Sequence, residues 1–516
     1  MSLMRALCVG VIVGASSLGA AAQTNPLEPA EDLMAGPRDG PWRRLFLDAM
    51  VVEEQEGLQR VFHAAEKHPG NPIIPAERPW EQMGPYPGPD IYGSVLWDEG
   101  KLRMWYRCYT PTQLVCYAES LDGIHWTKPN LGVCQLGGST ENNIVLGVAP
   151  DPDPDAPYQG ASQCNFPLVF KRPWASDPEK RYVLFCYALD YRKHRAAYSS
   201  DGLHWTFAPE TKQTGLFPGG DATNYGWDPY SERYFGMRKM AAYGLGGRRE
   251  SGRGRAVGIA WSDPDDELHW TIPVDAPVLA PDDLDPDATQ FYNAPAFAYQ
   301  GLFISQLWVF HARWFKYGKY TDERMQEAEG GSPATTDVQL AWSWDLINWT
   351  RTPERQPFIA LGDAAAGDFD CGSVHTAQAP VVVGDRLYFY YSGAQGRYLK
   401  PRHQAIGLAT LRLDGFCSMR AGDQEGWLIS RREPLEHPRV TINARTDEGG
   451  YVVAEILDRD NQVLDGFSRD ECIPFSGDDV RGGLRWQKDQ FDETQREGDK
   501  KIRFYLRRAD LYSYLP

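Results

Sequence analysis

Short runs in which apolar and polar residues alternate recur along most of the chain, and turn-forming residues separate them. Residues 92–97 and 102–106 are one such pair, divided by an Asp-Glu-Gly turn. Alternation is typical of half-buried strands, because successive side chains point to opposite faces of a sheet. Many runs are rich in aromatic and β-branched residues, which pack well on a pleated surface. The pattern predicts an all-β protein built from short antiparallel strands.

A hairpin signature, Ser-x-Asp-Gly-x-x-Trp or a close variant, is repeated along the chain. Copies end at Trp126, Trp205, Trp270 and Trp349, and a shorter fifth copy ends at Phe416. Two short strand-like runs precede each copy, so that each repeat contains four strands. Four-stranded repeats of this kind are typical of the blades of a β-propeller. We therefore expect a five-bladed β-propeller over residues 45–418.

The Asp and Ser residues of the signature have a structural explanation. Their side chains can accept hydrogen bonds from turn amides, the Gly supplies a positive φ, and the Trp packs between blades. We expect Asp122, Asp201 and Asp345 to belong to the scaffold and not to a catalytic site.

Both ends of the chain depart from the repeat. From about residue 419 the strand-like runs are more closely spaced, which predicts a C-terminal β-sandwich-like domain over residues 419–516. Residues 23–44 are predicted to be a linker. Residues 45–52 form a further strand-like run, which we expect to supply the outer strand that closes the ring.

The first 22 residues have the pattern of a secretory signal peptide. Arg5 precedes a short apolar run that ends in three alanines, so cleavage is expected between Ala22 and Gln23. The mature protein is then secreted or periplasmic. No other run approaches the roughly eighteen apolar residues that a membrane span requires, so no membrane partner is predicted.

Charge and cysteine content narrow the function further. The chain has 70 acidic and 53 basic residues and a formal net charge of −17, so a phosphate backbone would be repelled and nucleic acid is not a predicted partner.

Nine cysteines are too few for a disulfide scaffold, although Cys108 and Cys116 flank a turn at a spacing compatible with a cross-hairpin disulfide. Zinc motifs are absent from the sequence. No cofactor is predicted, a structural calcium ion is left open, and no oligomeric state is indicated.

In a propeller, the residues just before the innermost strand of each blade converge at one mouth of the central channel. Asp90, Asp221 and Asp370 hold such positions in blades one, three and five. Cleavage of a glycosidic bond needs one acid to protonate the leaving oxygen and a second carboxylate to activate water or attack the sugar. Crowded carboxylates are also expected to raise the pKa of at least one of them. The alternative for any single Asp is a turn cap.

Other polar and aromatic residues are expected at the same mouth. Aromatic candidates for stacking on a sugar are Trp105, Tyr292, Trp308 and Trp314, and the loop with Arg248, Arg249, Arg253 and Arg255 either contacts an anionic sugar or is simply solvated. The candidate substrate-binding residues are Arg107, Asn165, Asn224, Arg238, Tyr292, His311, Arg313, Asp337 and His375.

These features together resemble a known group of enzymes. Five predicted blades, His-Pro-Gly-Asn-Pro at residues 68–72, an Asp before the first inner strand, the repeated hairpins and a trailing β domain resemble the five-bladed propeller glycoside hydrolases. Families 32, 43, 117 and 130 belong to this group, and the layout is most similar to secreted bacterial family 32-like proteins. The resemblance implies that Asp90 is a base or a nucleophile.

The resemblance has limits in individual residues. Blade two has Asn165 where families 32 and 43 have an acid, blade three has Asp221 where they have a Glu, and the family 32 motifs Asn-Asp-Pro-Asn-Gly and Arg-Asp-Pro are absent. Family 117 uses a His as acid, which makes His311 and His375 alternative proton donors. Fructan specificity is therefore not predicted.

The resulting hypothesis is a secreted glycoside hydrolase that acts on a poly- or oligosaccharide. Asp90 is the expected base or nucleophile, and Asp221 and Asp370 are the expected acid and stabilising carboxylate in either order. A non-catalytic carbohydrate-binding propeller is the main alternative, because a fold does not fix a function. A glycoside phosphorylase is a further alternative.

Overall fold

The computed structural model describes residues 25–83, 86–109, 113–147, 164–242, 254–286, 289–311, 335–396 and 403–516. The predicted signal peptide lies outside these residues. The protein is all-β, as predicted, with 51% strand and 4% helix. Within the described ranges, no helix has the length and apolar character that crossing a membrane would need.

Four short strands open the described chain. They are β1 (Arg44–Leu45), β2 (Val52–Glu56), β3 (Gln59–Phe62) and β4 (Glu66–Lys67). Single 3-10 turns lie at Ala49–Val51, Pro79–Glu81, Pro178–Lys180 and Pro209–Lys212.

Three separate four-stranded antiparallel sheets follow, here called units one to three. Unit one contains β5 (Tyr86–Asp98), β6 (Lys101–Tyr109), β7 (Gln113–Ser120) and β8 (Ile144–Leu146). Unit two contains β9 (Cys164–Lys171), β10 (Tyr182–Ala188), β11 (Lys193–Ser199) and β12 (Thr206–Phe207). Unit three contains β13 (Asn224–Asp228), β14 (Arg233–Ala242), β15 (Gly254–Asp263) and β16 (Asp266–Thr271).

Units four and five share one ten-stranded sheet with β4, and a parallel bridge between Thr336 and Ser373 joins the two units. Unit four contains β17 (Thr289–Asn293), β18 (Ala296–Tyr299), β19 (Leu302–His311), β20 (Thr335–Ser343) and β21 (Trp349–Arg351). Unit five contains β22 (Ser373–Thr376), β23 (Val381–Val383), β24 (Arg386–Ala394) and β25 (Gln404–Arg412).

The C-terminal strands form a nine-stranded sheet together with β1, β2 and β3. These strands are β26 (Cys417–Ala421), β27 (Gly426–Ser430), β28 (Arg439–Leu457), β29 (Cys472–Ile473), β30 (Asp478–Trp486) and β31 (Lys501–Leu515). One helical turn, α1 (Glu493–Arg496), precedes β31 and begins with a capping box at Asp492.

The outer strand of unit five comes from the N-terminal part of the chain, but not from the predicted segment. Strand β4 pairs with β25, with Lys67 opposite Ala409. Residues 45–52 were expected in this place, and that expectation is wrong. Leu45 pairs with Ser513 of β31 and Val52 pairs with β27, so both belong to the C-terminal sheet.

Each unit packs on the next, and unit five returns to unit one. Strand β5 contacts β9, β9 contacts β13, β13 contacts β18, and β20 contacts β22. Strands β22, β24 and β25 in turn contact β5. The contacts between units are therefore cyclic.

The repeated hairpin signature has the structural role that the sequence predicts. The Asp122 carboxylate accepts hydrogen bonds from the amides of Ile124 and His125, at 2.9 and 2.8 Å, and the Ser120 hydroxyl accepts one from Gly123 at 2.8 Å. Asp201 and Asp345 cap their own turns in the same way. Trp126 packs edge-on against Tyr390 of unit five, with ring centroids 5.4 Å apart. The signature thus belongs to the scaffold.

The described cysteines all carry free thiols. The Sγ atoms of Cys108 and Cys116 are 3.2 Å apart, and those of Cys164 and Cys186 are 3.0 Å apart. Both pairs are buried between neighbouring strands. Cys371 is the one described cysteine that is not buried.

Candidate functional site

Ring side chains from units one, two, four and five lie close together at one end of the sheets. Tyr92 of unit one stacks on Phe166 of unit two, with ring centroids 4.3 Å apart. The ring centroid of Tyr92 also lies 5.3 Å from that of Trp308 in unit four and 5.3 Å from that of His375 in unit five. Tyr292 of unit four lies 5.5 Å from His375. These five residues are called the aromatic cluster.

Asp90 is a buried carboxylate beside this cluster, and both of its oxygens are hydrogen-bonded. Oδ2 accepts a hydrogen bond of 2.5 Å from the guanidinium of Arg107, the residue opposite it on β6. Oδ1 accepts hydrogen bonds from the Ser392 hydroxyl at 2.7 Å and from the Tyr92 amide at 3.2 Å. The Arg107 guanidinium also lies 4.2 Å above the Tyr92 ring. Asp90 is therefore rigidly oriented.

A chain of hydrogen bonds leads from Asp90 across unit two to unit three. The second terminal nitrogen of Arg107 donates to the Asn165 side-chain oxygen. The Asn165 amide donates in turn to the backbone carbonyl of Asp221, at 3.3 Å. Asp90 and Asp221, two of the three predicted catalytic carboxylates, thus belong to one connected site.

Asp221 is the accessible carboxylate of the site. Its Oδ1 lies 2.7 Å from the Lys239 ammonium, and its side chain is 45% exposed. Burial by itself would raise the pKa of Asp221, but the charge and hydrogen bond of Lys239 outweigh it and lower the pKa. The expectation that crowding raises a carboxyl pKa is therefore wrong for Asp221, because its near neighbour is a cation.

His375 is buried in the aromatic cluster. Its Nδ1 lies 3.2 Å from the Tyr92 hydroxyl, and its Nε2 has no hydrogen-bond partner among the described residues. Burial disfavours the imidazolium form and lowers the pKa of His375 to about 4. His375 is therefore neutral near pH 7 and unsuited to donating a proton there.

His311 has the opposite titration behaviour. Its Nε2 lies 2.8 Å from the Asp337 carboxylate, and its side chain is 28% exposed. Burial acts to lower the pKa of His311, but the hydrogen bond and charge of Asp337 outweigh it and raise the pKa. His311 is the last residue of β19 and lies opposite Thr289 of β17, the strand that also contains Tyr292. The Arg255 guanidinium lies beside both strands, 5.3 Å from the Tyr292 ring centroid and 5.2 Å from that of Phe310, the residue before His311.

Asp370, the third predicted catalytic carboxylate, lies apart from the other two. Its Oδ2 accepts a hydrogen bond of 2.9 Å from the Tyr391 hydroxyl and forms an ion pair of 2.6 Å with Lys67. Tyr391 and Ser392 are consecutive residues of β24, and consecutive side chains point to opposite faces of a strand. Ser392 contacts Asp90, so Asp370 lies across the strand from it. Asp370 attaches β4 to unit five.

The remaining predicted binding residues take varied positions. Asn224 is buried, and its side-chain nitrogen has no partner within the described part of the chain. Arg238 is buried and donates to the exposed Asp275 at 3.1 Å. Trp105, expected at the mouth, is instead part of the core, and its indole nitrogen donates to the Gly202 carbonyl at 2.7 Å. Residues that lie outside the described part are Arg248, Arg249, Arg253, Arg313 and Trp314.

Several site residues were missed by the sequence analysis. Tyr92 follows Asp90 by two positions on the same strand, and residues two apart on a strand usually face the same side, so this spacing could have indicated Tyr92 as a site residue. Lys239 and Ser392 reach the site from neighbouring strands, and no local pattern signals them. Among the described residues, no group of three or more His, Cys, Asp or Glu side chains is arranged to hold a metal ion.

Comparisons with known proteins were made at the level of families, sequences and structures. No family model matches the chain, and no curated protein sequence matches it. The chain is similar in structure to a glycosyl hydrolase from Bacteroides ovatus, with a TM-score of 0.43 and 15% identity over 68% of this chain and 94% of the other. A member of the family 130 mannoside phosphorylases, a family said to contain glycoside hydrolases that target β-1,2-mannosidic linkages, gives a TM-score of 0.44 and 17% identity over 68% and 94%. The β-1,2-mannobiose phosphorylase of Listeria innocua gives 0.42 and 12% over 67% and 96%.

Proposed function

We propose that the five units form a five-bladed β-propeller, which carries a glycoside-cleaving site at the end of the sheets where Asp90 and Asp221 belong to one hydrogen-bonded chain. The cyclic contacts between units and the pairing of β4 with β25 support the ring. The C-terminal sheet is proposed to be a β-sandwich-like domain. The long strands β28 and β31 shift register twice where they pair, and such irregularities bend strands so that one sheet can fold over on itself. The protein is proposed to be exported and to act on a poly- or oligosaccharide.

One observation carries the functional part of this proposal. Two carboxylates from different units are held beside a cluster of aromatic rings to which units one, two, four and five all contribute. Sugar rings have apolar faces of C–H groups that pack on aromatic side chains, and glycosidic bond cleavage depends on paired acid and base groups. The arrangement suits a saccharide better than a purely apolar ligand.

We assign the ionised, accessible Asp221 as the nucleophile or water-activating base. Lys239 keeps this carboxylate charged, and its exposure leaves it open to a substrate. Asp90 is buried and its oxygens are already engaged, so we assign it to stabilising positive charge that develops on the sugar. The resemblance implied instead that Asp90 is the base or nucleophile, and Asp221 was expected to be the acid or the stabilising carboxylate.

We assign His311 as the proton donor. Glycoside cleavage requires a group that is protonated near neutral pH, and Asp337 raises the pKa of His311 toward that condition. His375 is a poorer donor because burial lowers its pKa. The interaction with Asp337 also orients the imidazole.

The test is a screen of plant and algal polysaccharides for release of reducing ends, with and without inorganic phosphate. We expect phosphate-independent release, which Asp221→Asn and Asp90→Asn each lower by about 10²-fold or more. Asp370→Asn is the matched control, since it changes a buried Asp outside the connected site. Turnover that requires phosphate would indicate phosphorolysis. Unchanged turnover in both site variants would overturn the assignment.

A non-catalytic carbohydrate-binding protein is the second candidate function. Its supporting observation is that Asp90 and Asp221 are each paired with a cation, at 2.5 and 2.7 Å, so neither is placed as a proton donor. Glycan binding without release of reducing ends during long incubation would favour this candidate.

A further inference from the structure

A cavity of about 470 Å³ opens at the opposite end of the innermost strands from the candidate site. Asp90 lies near the start of β5, whereas Trp97 of the cavity wall lies near its end. In the same way Asn165 lies near the start of β9, and Phe170 of the cavity wall near its end. The cavity and the candidate site are therefore distinct places on the protein.

The N-terminal segment, residues 25–43, crosses this end of the sheets and forms part of the cavity wall. It is attached to three units by hydrogen bonds. The Leu27 carbonyl accepts one from Gly384 at 3.3 Å, the Met34 carbonyl accepts one from Gln300 at 2.8 Å, and the Ala35 carbonyl accepts one from the Tyr230 hydroxyl at 2.9 Å. The wall is thus part of the folded structure.

Three tryptophans, Trp97, Trp174 and Trp227, line the cavity. Trp174 stacks on Trp227, with ring centroids 4.7 Å apart and an angle of 25° between the planes, yet Trp174 remains 54% exposed. Trp97 is oriented by a hydrogen bond of 2.7 Å from its indole nitrogen to the Val382 carbonyl. A Trp that is exposed while held flat against a second Trp is a preformed apolar platform.

A few polar groups accompany these rings. Glu31, Lys171 and Gln378 line the cavity. The Lys171 ammonium forms an ion pair of 2.5 Å with the Asp98 carboxylate. Asp32 caps the turn of the N-terminal segment through the Met34 and Ala35 amides. A mostly apolar wall with a few polar groups, at this volume, has the composition of a small-molecule site.

We propose that this cavity is a second binding site, which takes a neutral sugar unit of a glycan. A pyranose ring presents an apolar C–H face to an indole, and its hydroxyls can bond to an amide and a carboxylate such as those of Gln378 and Glu31. Among the described residues that line the cavity, Glu31 and Asp32 are acidic and Lys171 is the one cation. Lys171 is already paired with Asp98, so an anionic sugar is disfavoured. The proposal is independent of chemistry at Asp221.

The experiment measures binding of β-1,4-linked mannohexaose, xylohexaose and cellohexaose to the full chain by calorimetry. The Asp221→Asn background prevents turnover from complicating the isotherms. Trp174→Ala is expected to weaken the affinity for at least one hexasaccharide by about tenfold or remove one binding event. Ala379→Trp, which fills the cavity without removing the platform, is expected to do the same. Trp344→Ala is the matched control, because Trp344 is 45% exposed and lies outside the cavity.

The outcomes are separable from those for the proposed function. Loss of turnover in Asp221→Asn with Trp174-dependent binding retained supports both proposals, and binding without any turnover supports the second site alone. The second site is overturned if no hexasaccharide binds, or if Trp344→Ala weakens binding as much as Trp174→Ala does. It is equally overturned if the cavity binds only the apolar dye 8-anilino-1-naphthalenesulfonate.

Discussion

Replacing Lys239 tests the electrostatics of the site most sharply. The Lys239 ammonium lies 2.7 Å from Asp221 and lowers the pKa of that carboxyl from its ordinary value of 3.8. A neighbouring cation typically lowers a carboxyl pKa by about 1–3 units. Because the Asp221 side chain is 45% exposed, solvent screens part of this interaction, but the pKa of Asp221 still lies below its ordinary value.

The sign follows from the role of Asp221 as an ionised group. Activity is then present above the pKa of Asp221 and is lost as the pH falls through it. Lys239→Met removes the cation but keeps the burial, so the pKa of Asp221 rises and activity is lost at a higher pH. We expect the acid limb of kcat/KM, measured from pH 3 to 8, to move to higher pH.

Lys101→Met is the matched control for this measurement. Lys101 forms an ion pair of 2.6 Å with Glu119, and both side chains are partly exposed, as are those of Lys239 and Asp221. The pair lies away from the candidate site, so its loss should leave the acid limb in place. An acid limb unmoved in Lys239→Met, or moved equally in Lys101→Met, would refute the reasoning.

Three further predictions follow from other parts of the structure. Arg107→Ala leaves the buried Asp90 carboxylate without its cation and should lower the free energy of unfolding in urea by about 3–5 kcal/mol; a loss below about 1 kcal/mol would contradict this. His311→Gln should lower kcat by about 10²-fold and abolish the basic limb of the pH profile, whereas an unchanged basic limb would exclude His311 as the proton donor. Among the described cysteines, only Cys371 should react with a thiol reagent in the native protein, and peptide mapping that finds other labelled sites would contradict the burial described here.

Local features of the fold could be predicted from the sequence. The Ser-x-Asp-Gly-x-x-Trp signature acts within a few residues, where Asp122 and Ser120 bind amides of their own turn. Such contacts depend little on the rest of the chain. Strand alternation within each run is equally local, and it indicated the all-β class.

Long-range pairing could not be predicted in the same way. Residues 45–52 form a strand-like run and Glu66–Lys67 show no strand pattern, and in neither case do the residues themselves select a partner strand. The structure pairs the first run with the C-terminal sheet and β4 with β25. The choice depends on positions more than 300 residues away in the sequence.

The candidate site shows the same division. The sequence placed Asp90, Asp221 and Asp370 at the start of inner strands, but it did not determine which face of unit five Asp370 contacts. Tyr391 and Ser392 point to opposite faces of β24. Tyr391 binds Asp370 and Ser392 binds Asp90, so the two carboxylates lie on opposite sides of that strand. Lys239 lies on a neighbouring strand and lowers the pKa of Asp221, although the sequence analysis expected crowding to raise a carboxyl pKa. No local spacing in the sequence reveals that Lys239 is a neighbour of Asp221.

The most direct test of the proposed site is a crystal structure of the Asp221→Asn variant soaked with the glycan that the screen identifies. We predict a sugar ring packed against Tyr292, with a glycosidic oxygen within hydrogen-bond distance of His311 and the sugar carbon it joins beside position 221. A glycan found only against Trp174, or bound at neither end of the sheets, would contradict the proposed function.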